Sequence, residues 1–290
     1  MKMRTKAEMR QLIFAVAEKL GVVRAIAANG SRVYKARSDE FTDFDIIYVV
    51  PDDQMQHLID ERGWLDEFGE RIVMQTPMDL TPRPIDYTKR FNFLMLFTDG
   101  NRLDLGLVPE SEIGAWAKAD PIAQVLFDPA HILAGLELVQ DDRRYFRKKP
   151  SQGFFFRRTN EFWWIGPYVV KGILRNQFFY AVDHYFDGIL GEYLMQVEWR
   201  VAFEHDFQVN LGKNVGDLFS YLTVAEQDEL RRFSNMSSLE TVAQNMVEIQ
   251  EQYQALAIQN AQQIGLDYDP TSGERVMEYT NTKLKKILEN

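Results

Sequence analysis

The sequence predicts a chain with two different parts, a domain built around a mixed β-sheet and then a bundle of helices. Over residues 1–150, short apolar runs alternate with helical periods, which favours an α/β or α+β domain. Over residues 151–290, apolar residues recur almost only at helical spacing. The segment "YFRKKPSQG", which is first basic and then contains Pro and Gly, separates the two patterns. We therefore predict a domain boundary near residue 150.

The first part begins with a predicted helix over residues 5–20, where apolar residues keep helical spacing until Gly21. Strands are predicted over residues 22–28 and 44–50, and the second is apolar nearly throughout, as in strands buried on both faces. A helical stretch from Pro51 to residue 68 and the strand "RIVMQTP" come next. The segment "FNFLMLFTDGNRLDLGLVP" predicts two strands joined at Asp99-Gly100, a strong hairpin signal.

The second part is predicted to contain helices over residues 159–175, 177–203 and 239–263, and a last helix begins at Asp269. The first two are rich in aromatic residues, which we expect to form most of the bundle core. The charged residues among them are therefore the better candidates for a functional site.

Composition limits the classes of protein to which the chain can belong. Of its 290 residues, 46% are hydrophobic and 13% aromatic, which predicts a globular protein. Cysteine is absent, so a disulfide framework and a Cys-based zinc site are excluded. The first residues lack the apolar core of a signal peptide, and no run approaches the roughly 20 apolar residues of a membrane span. We expect a cytoplasmic protein without a membrane partner, either a monomer or a weak dimer.

The chain is acidic, with 43 acidic and 33 basic residues and a formal net charge of -10. Such a surface repels a phosphate backbone, so it disfavours nucleic-acid binding. It would instead concentrate a cationic small molecule. Since many globular proteins are acidic, the charge alone does not decide the substrate.

Two aspartates stand at the entrance to the second predicted strand. Strand side chains alternate between faces, so Asp43 and Asp45 share one face while Phe44 takes the other. A later strand, "RLDLGLV", carries Asp104 between two leucines, as expected if it joins the same polar patch. The simpler alternative for such a pair of aspartates is a solvated strand end.

A glycine turn precedes these acids, and Gly30-Ser31 would let backbone N–H groups approach an anion closely. Three carboxylates without a counter-charge repel one another, which raises the pKa of at least one. Mg²⁺ removes this repulsion, because it favours carboxylate oxygens together with substrate phosphates. The residues alone therefore predict Mg²⁺-dependent phosphoryl or nucleotidyl transfer.

These motifs also carry a family resemblance. Gly30-Ser31, eleven intervening residues, Asp43-Phe44-Asp45-Ile46 and then Asp104 resemble the pattern of the nucleotidyltransferase superfamily. The segments "NGSR", "DFDIIYVV", "RLDL", "NEFWWIGPYVVKGILR", "AVDHY" and "NLGKN" narrow the resemblance to the aminoglycoside 6-adenylyltransferases, the streptomycin-modifying group. The resemblance implies an α+β fold, with a polymerase-β-like nucleotidyltransferase domain over residues 1–150 and a helical substrate-binding domain over residues 151–290.

The resemblance also implies the reaction and its participants. ATP and Mg²⁺ would be the cofactors, and a cationic aminoglycoside such as streptomycin would accept AMP at its 6-hydroxyl. The implied Mg²⁺ ligands are Asp43, Asp45 and Asp104. The implied contacts to the ATP phosphates are Gly30, Ser31, Arg32 and Lys213.

Asp183, in "AVDHY", is the acid of the helical part that the resemblance directs to the substrate. Our hypothesis is that it accepts the proton of the antibiotic hydroxyl, while the alternative is an orienting carboxylate or a solvated helix charge. Glu161 and Glu192 are weaker candidates for binding the amino or guanidinium groups of the drug, and an ordinary surface acid is the alternative for each.

The sequence also allows other acceptors and other classes of function. A lincosamide or a protein side chain would also serve as acceptor within the superfamily. A nucleic-acid acceptor conflicts with the net charge of -10 and with the lack of a basic, aromatic groove. A non-catalytic binder would be expected to lack an aspartate of the triad, and all three are present.

Overall fold

The structure is a computed structural model, and it describes residues 2–34, 39–76 and 89–289. The chain divides into two compact units, Met1–Asp142 and Arg143–Asn290. The predicted boundary near residue 150 falls shortly after this division. Each unit has a hydrophobic core of its own.

In its described part, the first unit contains a six-stranded sheet in the order β3-β4-β5-β2-β1-β6. The two central strands, β2 and β5, run parallel, and the other neighbouring pairs are antiparallel. The predicted hairpin is confirmed by β4 and β5, whose turn contains Gly100 at a φ of 88°. The strands are β1 (Ala25–Asn29), β2 (Phe44–Val50), β3 (Arg71–Gln75), β4 (Phe91–Phe97), β5 (Arg102–Pro109) and β6 (Ala123–Phe127).

Helices cover both faces of this sheet. Helices α1 (Lys6–Leu20) and α3 (Asp52–Asp60) pack on one face and α4 (Ile113–Ala119) on the other. A short helix α2 (Ser31–Tyr34) follows β1, and 3-10 turns cover Arg62–Phe68 and Glu110–Glu112. Helix α1 has the bounds that the sequence predicts, because the Thr5 side chain caps its first turn and Gly21 ends it with a φ of 67°.

Strand β2 is buried on both faces, as its apolar sequence predicts. Ile46 and Tyr48 belong to the core beneath α1 and α3, whereas Ile47 and Val49 belong to the core that includes Trp116 of α4. A strand packed on both sides has little freedom to move, so the residues at its entrance are rigidly placed.

The second unit is helical, as predicted. Its helices are α5 (Gln152–Leu174), α6 (Phe178–His184), α7 (Gly191–Glu204), α8 (Val224–Phe233), α9 (Leu239–Ile264) and α10 (Thr271–Leu288). Short 3-10 turns cover Arg143–Tyr145, Lys213–Val215 and Leu218–Tyr221. Aromatic packing holds the bundle together, with the rings of Phe162 and Tyr253 stacked 3.5 Å apart.

One predicted helix contains an irregularity that the sequence does not show. The sequence predicts a single helix over residues 177–203, but a π-helical segment, Tyr185–Leu190, separates α6 from α7. A π turn inserts one extra residue into the helical repeat, and the apolar periodicity of an aromatic-rich stretch does not reveal such an insertion. None of the helices in the described ranges combines the length and apolarity that a membrane crossing needs.

Candidate active site

The parallel pairing of β2 and β5 brings the predicted carboxylates together. Phe44 lies opposite Leu103, and Asp45 therefore lies directly opposite Asp104. Asp43 immediately precedes β2, at the same end of the two central strands. All three aspartates are partly buried. The residues predicted to form one polar patch are thus neighbours at the entrance of the sheet.

The glycine turn touches this patch. Gly30 follows β1 with a φ of 73°, a left-handed conformation that favours glycine. A Cβ atom at this position would lie 2.8 Å from Cγ of Asp45 and closer still to its Oδ2. The amide of Val33 donates to the carbonyl of Gly30 over 3.1 Å, which closes the turn. Only glycine therefore fits where the turn meets the Asp45 carboxylate.

A residue that the sequence analysis missed lies beside the acids. Arg102 donates from Nε and from Nη2 to the two carboxylate oxygens of Asp104, each over 2.8 Å. Its Nη1 is 3.4 Å from Oδ2 of Asp43. Arg102 therefore supplies the counter-charge that the three acids were expected to lack. The spacing in the sequence could have identified Arg102, because it stands two residues before Asp104 on the same strand and therefore on the same face.

The guanidinium does not neutralise the patch fully. The pKa of Asp45 is raised to about 6, chiefly by burial and then by the negative charges of Asp104, Asp43 and Asp120, against the opposing effect of Arg102. The expected rise in the pKa of one carboxyl is therefore found at Asp45. The charges of the neighbouring acids thus add to the effect of burial, and a bound cation would offset both.

The donor chemistry of this patch fits Mg²⁺, which prefers carboxylate oxygens. In the described ranges, however, no group of three acidic or histidine side chains is placed to coordinate a metal ion. At this patch, both oxygens of Asp104 accept hydrogen bonds from Arg102. The side chains are of the type that binds Mg²⁺. Arg102 would have to give up oxygen atoms of Asp104 to a metal that binds there.

Arg32 directs its side chain towards the protein backbone. Its Nε donates to the carbonyl of Asp43 over 2.8 Å, its Nη2 donates to the carbonyl of Thr42, and its guanidinium lies 3.9 Å from the ring centroid of Phe44. Burial lowers the pKa of Arg32, against the charges of the nearby aspartates. These contacts fix the main chain that leads into β2.

The remaining predicted site residues belong to the second unit. Asp183 is exposed near the end of α6, and the π-helical segment follows two residues later. Such π turns frequently accompany functional sites. Lys213 is exposed in a 3-10 turn that Gly212 opens with a φ of 76°.

Glu192 is buried, so it is not the ordinary surface acid that the sequence left as the alternative. It is 3% exposed and its Oε1 lies 2.6 Å from the guanidinium of Arg158. Burial raises its pKa to about 7, although Arg158 opposes the rise and the charges of Glu161 and Asp187 add to it. The glutamate is therefore part of the helical core, beside an acidic surface.

Comparison with known proteins identifies the family. The family model described as "Streptomycin adenylyltransferase" matches residues 3–283. The chain belongs to the streptomycin adenylyltransferase family. The resemblance inferred from the sequence motifs is thereby confirmed, and the chain is an enzyme of the nucleotidyltransferase class.

Several similar proteins carry the name aminoglycoside 6-adenylyltransferase. The one from Campylobacter jejuni is 30% identical over 285 residues, which cover 98% of this chain and 97% of that protein. The one from Bacillus subtilis (strain 168) is 33% identical over 230 residues, covering 79% and 80%. The one from Staphylococcus aureus is 32% identical over 226 residues, covering 77% and 79%. A crystal structure of an aminoglycoside 6-adenyltransferase from Bacillus subtilis covers 97% of this chain, with 26% identity and a TM-score of 0.48.

Proposed function

We propose that this adenylyltransferase moves AMP from ATP to a hydroxyl group of an aminoglycoside, with streptomycin and its 6-hydroxyl as the specific acceptor. The observation that carries the proposal is the pairing of Asp45 with Asp104 at the entrance of the sheet, in contact with the Gly30 turn. The names of the similar proteins support the acceptor class. The net charge of -10 is consistent with a cationic acceptor.

The reaction is an in-line displacement at phosphorus. The acceptor oxygen forms a bond to the α-phosphorus of ATP, the bond from that phosphorus to the α–β bridging oxygen breaks, and pyrophosphate leaves. We assign the divalent ion to Asp43, Asp45 and Asp104 as ligands. When bound there, Mg²⁺ neutralises the charge on the phosphate oxygens.

The protein groups around the acids would orient the nucleotide. Gly30 and Ser31 would present main-chain N–H groups and a hydroxyl to the β- and γ-phosphates. Lys213 would supply a positive charge to the same phosphates. Arg32 would do so only by exchanging the carbonyls of Thr42 and Asp43 for phosphate oxygens, so we expect its main role to lie in holding the chain before β2.

Asp183 would accept the proton that the acceptor hydroxyl loses. Its exposure leaves the carboxylate free to meet a substrate, and a base here makes the hydroxyl oxygen a better nucleophile. In Asp183→Asn we expect kcat to fall by about a hundredfold, with a smaller change in KM. A near-normal kcat with a raised KM would instead make Asp183 a substrate-orienting residue.

Pyrophosphate release with ATP and Mg²⁺ tests the proposal as a whole. The panel should contain streptomycin, other aminoglycosides, a lincosamide and a protein acceptor. We expect turnover with streptomycin and adenylylation at its 6-hydroxyl, which mass spectrometry and NMR of the product would locate. Turnover of the lincosamide or the protein alone would assign a different acceptor, and a lack of turnover across the panel would contradict the proposal.

A further inference from the structure

A positively charged side chain lies against the carboxylate patch. Both oxygens of Asp104 accept hydrogen bonds from Arg102, each over 2.8 Å, and Nη1 of the arginine is 3.4 Å from Oδ2 of Asp43. A bidentate pair of this kind is among the stronger contacts that a carboxylate makes in a protein. A metal ion that binds Asp104 must compete with this pair for the carboxylate oxygens.

The same guanidinium is accessible to solvent. Its side chain is 45% exposed, whereas that of Asp104 is 20% exposed. In the described part of the chain, the partners found for its guanidinium are the two acids Asp104 and Asp43. Because the described residues give the guanidinium no other hydrogen bond or ion pair, its long side chain can swing into solvent when a better partner for Asp104 arrives.

A nucleotide offers phosphate oxygens, to which the guanidinium of Arg102 can bind after it leaves Asp104. Guanidinium binds phosphate oxygens in the same bidentate geometry as it binds a carboxylate. Free metal offers Arg102 no new partner and must break its contact with Asp104. Metal that arrives with a triphosphate brings oxygen atoms that can receive the released guanidinium.

We propose that Arg102 is a resident counter-ion that competes with the divalent cation for Asp104, so that the metal binds tightly only together with the nucleotide. This inference rests on the proposed function, since it takes Asp43, Asp45 and Asp104 as the metal ligands. Arg102 thereby becomes a positioning residue of the reaction, which keeps the acids together in the absence of metal and couples metal binding to ATP binding.

Titration with Mn²⁺ in the absence of nucleotide tests the proposal directly, with electron paramagnetic resonance to measure free metal. We expect Arg102→Gln to bind Mn²⁺ about tenfold more tightly than the unaltered protein, because a charge-assisted contact no longer has to be broken. Arg102→Lys, which cannot form two parallel bonds, should give an intermediate affinity. A non-hydrolysable ATP analogue should reduce the difference between the proteins.

Arg24→Gln is the matched control. Arg24 pairs with Glu110 over 3.2 Å in the same unit, but at the opposite end of β5, so the variant loses the same charge without touching the patch. It should bind Mn²⁺ like the unaltered protein, and circular dichroism should find all variants folded. If neither Arg102 variant binds Mn²⁺ more tightly than Arg24→Gln, the counter-ion role is wrong. If no protein binds Mn²⁺ even with the nucleotide analogue, the metal assignment of the proposed function fails as well.

Discussion

The glycine turn lies so close to the Asp45 carboxylate that one added carbon atom at Gly30 should disturb the site. Substituting Gly30 by alanine adds a Cβ atom 2.8 Å from Cγ of Asp45, and the turn cannot relax freely because its φ is 73°. To reach an ordinary contact of 3.4 Å, the carboxylate carbon has to withdraw by about 0.6 Å or more. Gly30→Ala should therefore displace an acid on which the chemistry depends.

The magnitude follows from two separate costs. Alanine in a left-handed conformation costs about 1–2 kcal/mol of stability. A displacement of about 1 Å in a catalytic group can cost about a hundredfold in rate. We expect Gly30→Ala to lower kcat by about 10- to 100-fold while the protein stays folded.

Gly21→Ala carries the first cost without the second. Gly21 has a φ of 67°, and a Cβ atom there meets nothing within 4 Å. This variant should lose similar stability in urea denaturation but keep its kcat in a pyrophosphate-release assay. If both variants lose the same activity, the contact between the turn and Asp45 has no part in catalysis, and the reasoning is refuted.

Two further predictions concern stability and pH. Because the folded state holds a proton on Glu192 to about pH 7, unfolding should become easier by on the order of 2–3 kcal/mol as pH rises from about 4.5 to 7. Glu192→Gln should flatten this slope in urea denaturation at pH 5 and pH 8, and equal slopes would argue against a proton held there. Burial alone would raise the pKa of Asp99, but hydrogen bonds from Arg4 and Asn101 outweigh it and lower the pKa. Arg4→Gln should therefore cost about 3 kcal/mol at pH 7 and less at pH 3, where the stabilisation from the Asp99 carboxylate is already fading; the same cost at both pH values would contradict the charge pairing.

Much of the sheet domain can be predicted from local sequence. The bounds of β2 were predicted as observed, because an apolar run stands between Asp43 and the helix start after Pro51. Strand β1 begins at Ala25 rather than at residue 22. Val22 is apolar because it packs against the core beneath α1, and apolar character alone does not distinguish such packing from membership of the sheet.

The electrostatics of the site required the three-dimensional structure. Hydrophobic alternation indicated that Asp43, Asp45 and Asp104 face a common polar patch, but it carries no information on strand register. The register between β2 and β5 sets Arg102 beside Asp43 and Asp45 beside Asp104. The contacts of Arg32 with the backbone depend in the same way on the path of the chain before β2.

We expect adenylyl transfer to depend on the paired carboxylates of β2 and β5. Pyrophosphate release with ATP, Mg²⁺ and streptomycin should be measured for Asp45→Asn and Asp104→Asn. Asp52→Asn serves as the control, because this acid lies beyond the far end of β2 and accepts a hydrogen bond from Ser111. We predict a loss of about a thousandfold for each of the two site variants and an unchanged rate for Asp52→Asn. Near-normal turnover by either site variant would contradict the account.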